Sequence, residues 1–153
     1  MRPRALLCLA FLSMGAAPSG AAERFACGGA DVRIEVLARD TPVPEERAEA
    51  VLTVSRNGLD TVLRYRGIDF IGGQCVNAGG GRPLVVFQAY CGGSGCQDGA
   101  NWGVIDPALL RVLAVPTDTN REEARRLLGG RALPALTMTS VVEEARRQGV
   151  EVF

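Results

Sequence analysis

Four of the five cysteines, Cys27, Cys75, Cys91 and Cys96, are the residues of this sequence best suited to covalent chemistry. A short spacer rich in glycine separates Cys91 from Cys96, so the chain can turn back there and close a small disulfide loop. Four cysteines allow three pairings, of which we favour Cys91–Cys96 with Cys27–Cys75. The alternative is a redox or metal site, but the spacer does not match C-x-x-C, and zinc sites usually add His or a second close cysteine pair. We therefore predict structural disulfides, no metal site and no cofactor.

Histidine is absent, and all 17 basic residues are arginine. These absences exclude a histidine base, histidine metal ligands and a lysine Schiff base. A pair of carboxylates, as in glycoside hydrolysis, is the catalytic device that remains. The acids on or beside predicted strands are Asp31, Glu35, Asp69, Asp98 and Asp106. Nothing in the sequence brings two of them together, so we predict a protein that is not an enzyme. A carboxylate-dependent hydrolase of envelope glycans is the alternative.

The segment 91–102 combines glycines, polar side chains and an aromatic residue in the sequence CGGSGCQDGANW. A disulfide across its first half would stiffen the loop, and a stiff loop loses less entropy when it binds a partner. The alternative is a turn that only closes a hairpin, with Trp102 in the core. The predicted binding residues are Ser94, Gln97, Asp98, Asn101 and Trp102.

Residues 1–22 have the three-part layout of a secretory signal peptide: two arginines, an apolar run over 5–17, and small residues with cleavage after Ala21 or Ala22. The apolar run of about 13 residues is shorter than the roughly 20 that cross a bilayer as a helix. We therefore predict that residues 23–153 form one exported domain, periplasmic or secreted, without a membrane span. This compartment is oxidising, which favours disulfides.

We predict no nucleic-acid partner, because acidic and basic residues balance at 17 each and no basic cluster lies beside stacking aromatics. Arg33, Arg64 and Arg66 fall on predicted solvent faces of strands, with Glu35 beside Arg33. They either form a charged docking surface for a partner or are the solvated side of a sheet.

Strands are predicted wherever apolar and polar residues alternate. Asn57-Gly58 predicts a hairpin turn, and Gly72-Gly73 predicts a bulge or bend within a strand. The predicted strands are 31–39, 48–55, 61–66, 68–76, 84–91, 102–106 and 111–115.

Two short helices are predicted after the strands. Asn120 and Ser140 each precede a glutamate by three residues, which predicts an N-cap, and glycines at 129–130 and 149 predict the helix ends. The predicted fold class is therefore α+β: mainly an antiparallel β-sheet meander followed by two short C-terminal helices, stabilised by disulfides.

The export signal, the small size and the four cysteines resemble, as a class, those of periplasmic inhibitors and immunity proteins, and of periplasmic binding modules. The resemblance implies a function in binding rather than catalysis. We hypothesise a non-enzymatic periplasmic or secreted protein that binds another protein through the loop 91–102. A purely structural envelope protein is the remaining alternative.

Overall fold

The computed structural model describes residues 22–94, 96 and 99–152. Within these residues, nine strands form two antiparallel sheets of four and five strands, accompanied by two short α-helices. The predicted α+β class with C-terminal helices is confirmed. Residues 1–21, which hold most of the predicted signal peptide, lie outside the described residues. No helix in the described ranges is long and apolar enough to cross a membrane.

The four-stranded sheet takes its strands in chain order, and each pairs antiparallel with the next. The hairpin between its last two strands turns at Asn57 and Gly58, whose φ angles are 52° and 77°. Two positive φ values are what a two-residue type I′ turn requires, so the predicted turn is confirmed. The strands are β1 (Glu23–Cys27), β2 (Ala30–Ala38), β3 (Ala48–Arg56) and β4 (Leu59–Arg66).

The five-stranded sheet has the order β8-β7-β6-β5-β9. Its central strand β6 is apolar on both faces, and both faces are buried. The strands are β5 (Phe70–Asn77), β6 (Pro83–Tyr90), β7 (Gly103–Asp106), β8 (Arg111–Ala114) and β9 (Thr139–Ser140).

The main core lies between the two sheets. From the four-stranded sheet, Val32, Ile34 and Val36 on the predicted inner face of β2 are fully buried. From the five-stranded sheet, Val85 and Phe87 meet them in the same cluster. The helix α2 (Val141–Arg147) packs against β2 and β3 and adds its apolar side to this core.

A second core covers the other face of the five-stranded sheet. Leu84 and Val86 of β6 pack there against Leu128, which follows helix α1 (Arg121–Leu127). Residues 131–138 have no regular structure and add Leu133 and Leu136 to the cluster. The central strand β6 of the five-stranded sheet is therefore buried on both faces, between the two cores.

The glycines at 72 and 73 do not form the predicted bulge, because β5 and β6 pair without a break. A Cβ atom on Gly72 would lie 2.2 Å from the carbonyl oxygen of Thr137. A Cβ atom on Gly73 would lie 3.3 Å from Cβ of Phe87, and one on Gly103 would lie 2.1 Å from the ring of Phe87. These glycines are needed for close packing, as glycines within strands often are.

One of the two predicted N-caps is confirmed. The hydroxyl of Ser140 accepts a hydrogen bond from the backbone N–H of Glu143 at 3.3 Å at the start of α2. Asn120 occupies the N-cap position of α1 as predicted, but its side chain makes no capping bond there, so the predicted capping interaction is wrong. Its side chain is used elsewhere, as described below.

Candidate functional site

The predicted disulfide pairing is confirmed. Cys27 of β1 is bonded to Cys75 of β5, which joins the two sheets across the main core. Cys91 is bonded to Cys96, with Cα atoms 5.9 Å apart, and closes the glycine-rich loop after β6. All four cysteines described are thereby cross-linked, and each bridge holds structure rather than a reactive thiol.

The disulfide loop is also held by hydrogen bonds. The carboxylate of Asp69 accepts a bond from the backbone N–H of Gly92, and the N–H of Cys96 donates to the carbonyl of Gly93 at 2.9 Å. Gly92 lies so close to Phe70 that a Cβ atom would be 2.9 Å from the ring. The described residues of the loop are therefore held by a covalent bond, two hydrogen bonds and a close contact.

A depression of about 390 Å³ lies beside this loop. Its apolar part is an aromatic pair, Phe70 and Tyr90, whose ring centroids are 5.5 Å apart and which are both partly exposed. We call this depression the aromatic groove. Its lining residues are Phe70, Tyr90, Cys91, Gly92, Gly93, Ser94 and Cys96.

The structure divides the predicted binding residues into three groups. Ser94 is exposed and lines the aromatic groove. Trp102 and Asn101 are only 5% and 7% exposed and do not line it; Trp102 packs in the second core. Gln97 and Asp98 lie outside the described residues.

Trp102 is buried because the chain around it is held by Asn120. The side-chain oxygen of Asn120 accepts bonds from the backbone N–H groups of Trp102 at 3.0 Å and Thr117 at 3.3 Å. Its amide nitrogen donates to the carbonyls of Trp102 and Val115. Asn120 thus joins two connecting segments and uses all its hydrogen-bonding capacity there, which is why it does not cap α1.

Sequence reasoning missed Phe70 and Tyr90, and it considered Asp69 only as a candidate catalytic acid, not as a residue that holds the loop. Phe70 begins β5 and Tyr90 ends β6, and the two become neighbours because these strands pair in the register that places them opposite each other. Asp69 is the residue before β5 and so reaches the loop that follows β6. The signal in the sequence was that Phe70 lies near the start of one predicted strand and Tyr90 directly precedes Cys91 of the cysteine loop.

Three of the five candidate catalytic acids, Asp31, Asp69 and Asp106, are engaged in structural contacts, and Asp98 lies outside the described residues. Asp106 is buried; burial alone would raise its pKa, but hydrogen bonds from Arg82 and from the N–H groups of Leu109 and Ala108 hold that pKa below its usual range. Asp31 is exposed, and a hydrogen bond from Arg24 lowers its pKa. A general acid needs a raised pKa, so these acids have the opposite property.

Burial does raise the pKa of Glu23, at the start of β1, and one of its carboxylate oxygens is buried without a hydrogen bond. Glu23 does not line the aromatic groove. No three His, Cys, Asp or Glu side chains within residues 22–94, 96 and 99–152 are grouped so as to hold a metal ion.

The arginines on the outer face of the four-stranded sheet surround a buried carboxylate. Glu49 of β3 has a side chain only 4% exposed, and it forms ion pairs with Arg39 at 3.2 Å, Arg64 at 3.0 Å and Arg66 at 3.1 Å. Burial alone would raise the pKa of Glu49, but hydrogen bonds from Arg66 and Arg64 and the charge of Arg39 lower it. The predicted solvated face is therefore an organised charge cluster.

We predict that replacing Glu49→Gln weakens the dependence of stability on pH in acid. Because the pKa of Glu49 is lowered on folding, its ion pairs stabilise the protein above the ordinary value of 4.5 and are lost as pH falls through the lowered pKa. At neutral pH the free energy of unfolding of the variant should be lower by about 2 kcal/mol. This figure is reduced from that of a fully buried ion pair because the arginines are half exposed. Urea unfolding between neutral pH and pH 3 measures both effects.

Glu45→Gln is the matched control, because Glu45 is exposed and forms no ion pair with the described residues. If Glu49→Gln and the wild type lost the same free energy of unfolding on acidification, the ion-pair cluster would not contribute to acid sensitivity.

A larger depression, of about 430 Å³, lies between the β2–β3 connection and the C-terminal residues. It has no aromatic lining, and Arg47 uses its guanidinium to bind the carbonyls of Thr41 and Glu151 across it. These bonds hold the connection against the C-terminal segment, so we assign this depression a structural role. The aromatic groove is the candidate site.

Comparison of the chain with protein-family models, with curated proteins and with solved structures finds no match.

Proposed function

We propose that this chain is a non-enzymatic binding protein, periplasmic or secreted, which engages another protein at the aromatic groove. The observation that carries the proposal is the partly exposed pair Phe70 and Tyr90 beside a loop fixed by the Cys91–Cys96 bridge. The groove takes the place of the full loop 91–102 as the proposed binding surface, since Trp102 and Asn101 are buried.

Two observations support a location outside the reducing cytosol. The structure contains two disulfides, and such bonds persist in oxidising compartments. The sequence begins with the basic, apolar and small-residue segments of an export signal.

The chemistry of the groove suits a protein partner. Aromatic side chains carry a large share of the binding energy at protein interfaces, because they bury a large area and have few torsions to immobilise. The exposed Gly92 and Gly93 leave backbone groups of the loop accessible beside the two rings. A partner can therefore place an apolar side chain against Phe70 and Tyr90 and form hydrogen bonds with the adjacent loop.

The rigidity of the loop favours tight binding. The Cys91–Cys96 bridge and the Asp69–Gly92 hydrogen bond fix the loop before any partner arrives. Ordering a flexible loop would cost about 0.5–1.5 kcal/mol for each immobilised side chain, and this cost is avoided when the loop is already ordered.

Affinity capture with a matched pair of variants tests the proposal. The exported protein is immobilised, incubated with an extract of its own compartment, and bound proteins are identified by mass spectrometry. Ser94→Arg places a long charged side chain at the groove, and Thr119→Arg makes the same kind of change at an exposed hydroxyl residue outside it. We expect the wild type and Thr119→Arg to capture the same protein, and Ser94→Arg to capture at least tenfold less.

The single variants Phe70→Ala and Leu109→Ala form a second pair. Leu109→Ala is the control, since Leu109 is an exposed apolar residue outside the groove. Thermal melts show that each variant is folded. If Ser94→Arg and Phe70→Ala both captured as much as the wild type, binding at this groove would be rejected.

A further inference from the structure

The free side of β4 is a second surface with a specific pattern. β4 is the last strand of the four-stranded sheet and pairs with β3 alone. Arg56 and Leu59 flank the two-residue turn at Asn57-Gly58 and therefore form a hydrogen-bonded pair. Hydrogen-bonded pairs alternate along antiparallel strands, so the odd-numbered residues of β4 form the backbone hydrogen bonds with β3. Asp60, Val62 and Arg64 therefore direct their backbone N–H and C=O groups away from the sheet, and no hydrogen bond among the described residues engages them.

Two large apolar side chains on this strand are exposed to solvent. Leu59 is 68% exposed on the inner face, and Val62 is 42% exposed on the outer face. Leu63 and Tyr65, also on the inner face, are covered only in part. Edge strands are usually short or protected, so an eight-residue edge with exposed apolar residues needs an explanation.

We propose that β4 pairs antiparallel with β4 of a second copy of this chain, with Val62 on the two-fold axis. Each residue of β4 then lies opposite the residue of the second copy that is equally far from Val62 in the other direction. Asp60 faces Arg64 of the second copy, and Val62 faces its own counterpart. On the inner face, Leu59 is covered by Tyr65 of the second copy.

The charges of the strand select this register. If the axis passed through Arg64 or Asp60, like charges would lie directly opposite each other, which destabilises a strand pair. If it passed through Leu63, the two Arg64 side chains would be diagonal neighbours and Leu59 would remain uncovered. A shift by one residue would place backbone N–H and C=O groups that point toward β3 opposite groups that point toward the second copy, so the strands could not form the hydrogen-bond ladder.

The pairing also uses groups that are already positioned. Arg64 spends one N–H on Glu49 at 3.0 Å, and a guanidinium has five such donors, so others can reach Asp60 of the second copy. Three facing residue pairs exchange about six backbone hydrogen bonds. The result is a continuous sheet of eight strands, and none of the residues that line the aromatic groove lies on β4.

Sedimentation equilibrium of the purified, disulfide-bonded protein tests the pairing. We expect a dimer for the wild type and a monomer for Val62→Pro, because proline removes an N–H that faces the second copy but not one that bonds to β3. Ala26→Pro is the matched control: Ala26 is exposed on β1, at the other edge of the sheet, and its N–H also faces away from its neighbour. This variant should remain a dimer.

Oxidative cross-linking tests the register and does not depend on a proline variant. Val62→Cys should form a disulfide between copies, since hydrogen-bonded antiparallel pairs have Cα atoms about 5.5 Å apart, within disulfide range. Asp60→Cys should not, because the two copies of this residue lie four positions apart along the paired strands, which is about 13 Å.

A monomeric wild type, or a dimer that survives Val62→Pro, would overturn the proposal. If the wild type were monomeric and Val62→Pro also lost the capture of another protein, the edge of β4 would accept a strand from a different partner rather than from a second copy. The groove variants affect a different sheet, so failure of either proposal leaves the other standing.

Discussion

Removing the Cys27–Cys75 bridge should lower the free energy of unfolding by about 4 kcal/mol. The bridge closes a loop with a sequence separation of 48, so it removes many conformations from the unfolded chain. It also joins the four-stranded sheet to the five-stranded sheet beside a core in which Cys27 is 1% exposed. Urea unfolding of the variant Cys27→Ala with Cys75→Ala measures the loss.

The second bridge provides the control. Cys91–Cys96 has a sequence separation of only 5, and the same entropy relation gives about 2 kcal/mol for its removal. The expected order is therefore a large loss for the long bridge and a smaller one for the short bridge. Equal losses, or a larger loss from the short bridge, would contradict the role assigned to Cys27–Cys75.

Replacing Asn120→Ala should cost about 3 kcal/mol, because it leaves the buried N–H and C=O groups of Trp102 without partners. Asn120→Asp should be at least as damaging at neutral pH. Aspartate cannot donate to the carbonyls of Trp102 and Val115, and its charge would be repelled by both. Chemical denaturation of both variants measures these losses.

Ser140→Ala provides the comparison, because Ser140 is a true N-cap and its loss should cost only about 1 kcal/mol. If Asn120 acted as an ordinary cap, Asn120→Ala would cost the same as Ser140→Ala. In that case Asn120→Asp would be nearly neutral, since aspartate caps as well as asparagine. Either result would contradict the role of Asn120 in joining the segments at Trp102 and Val115.

Much of the fold follows from local patterns. The alternation over 31–39 predicted both β2 and its buried face, because a strand with one solvated side repeats every two residues. Asn57-Gly58 predicted a hairpin, since few other residue pairs accept two positive φ angles. The disulfide pairing followed from spacing and from the expectation of export.

The incorrect predictions are those that depend on distant partners. Asn120 has the same local pattern as Ser140, and only the approach of the segment at Trp102 directs its side chain away from the helix. Gly72 resembles a bulge residue in the sequence, but the chain at Thr137 lies against it. Contacts across tens of residues leave no local pattern.

The candidate site was predicted in part for the same reason. The stiff loop closed by Cys91 and Cys96 was evident from the sequence, and Ser94 does line the groove. The aromatic pair was missed because Phe70 and Tyr90 become neighbours only through the register of β5 and β6. Register depends on the whole sheet, so a surface assembled from strand ends is the hardest part to derive from sequence.

The charge cluster around Glu49 shows the same limit. Alternation predicted that β3 is a strand, and the structure buries Glu49 on its outer face beneath three arginines. Long arginine side chains cover neighbouring surface while their charged groups stay near water. A face that appears solvated in the sequence can therefore hold a buried carboxylate.

Site-specific photo-cross-linking inside cells tests the central claim most directly. A photoreactive amino acid is placed at Ser94 in the groove or, as the control, at Thr119, and the cells are illuminated with the protein in its own compartment. We predict that Ser94 yields a covalent adduct with one defined protein and that Thr119 does not. The absence of an adduct at Ser94, or the same adducts at both positions, would contradict the claim that this groove binds a protein.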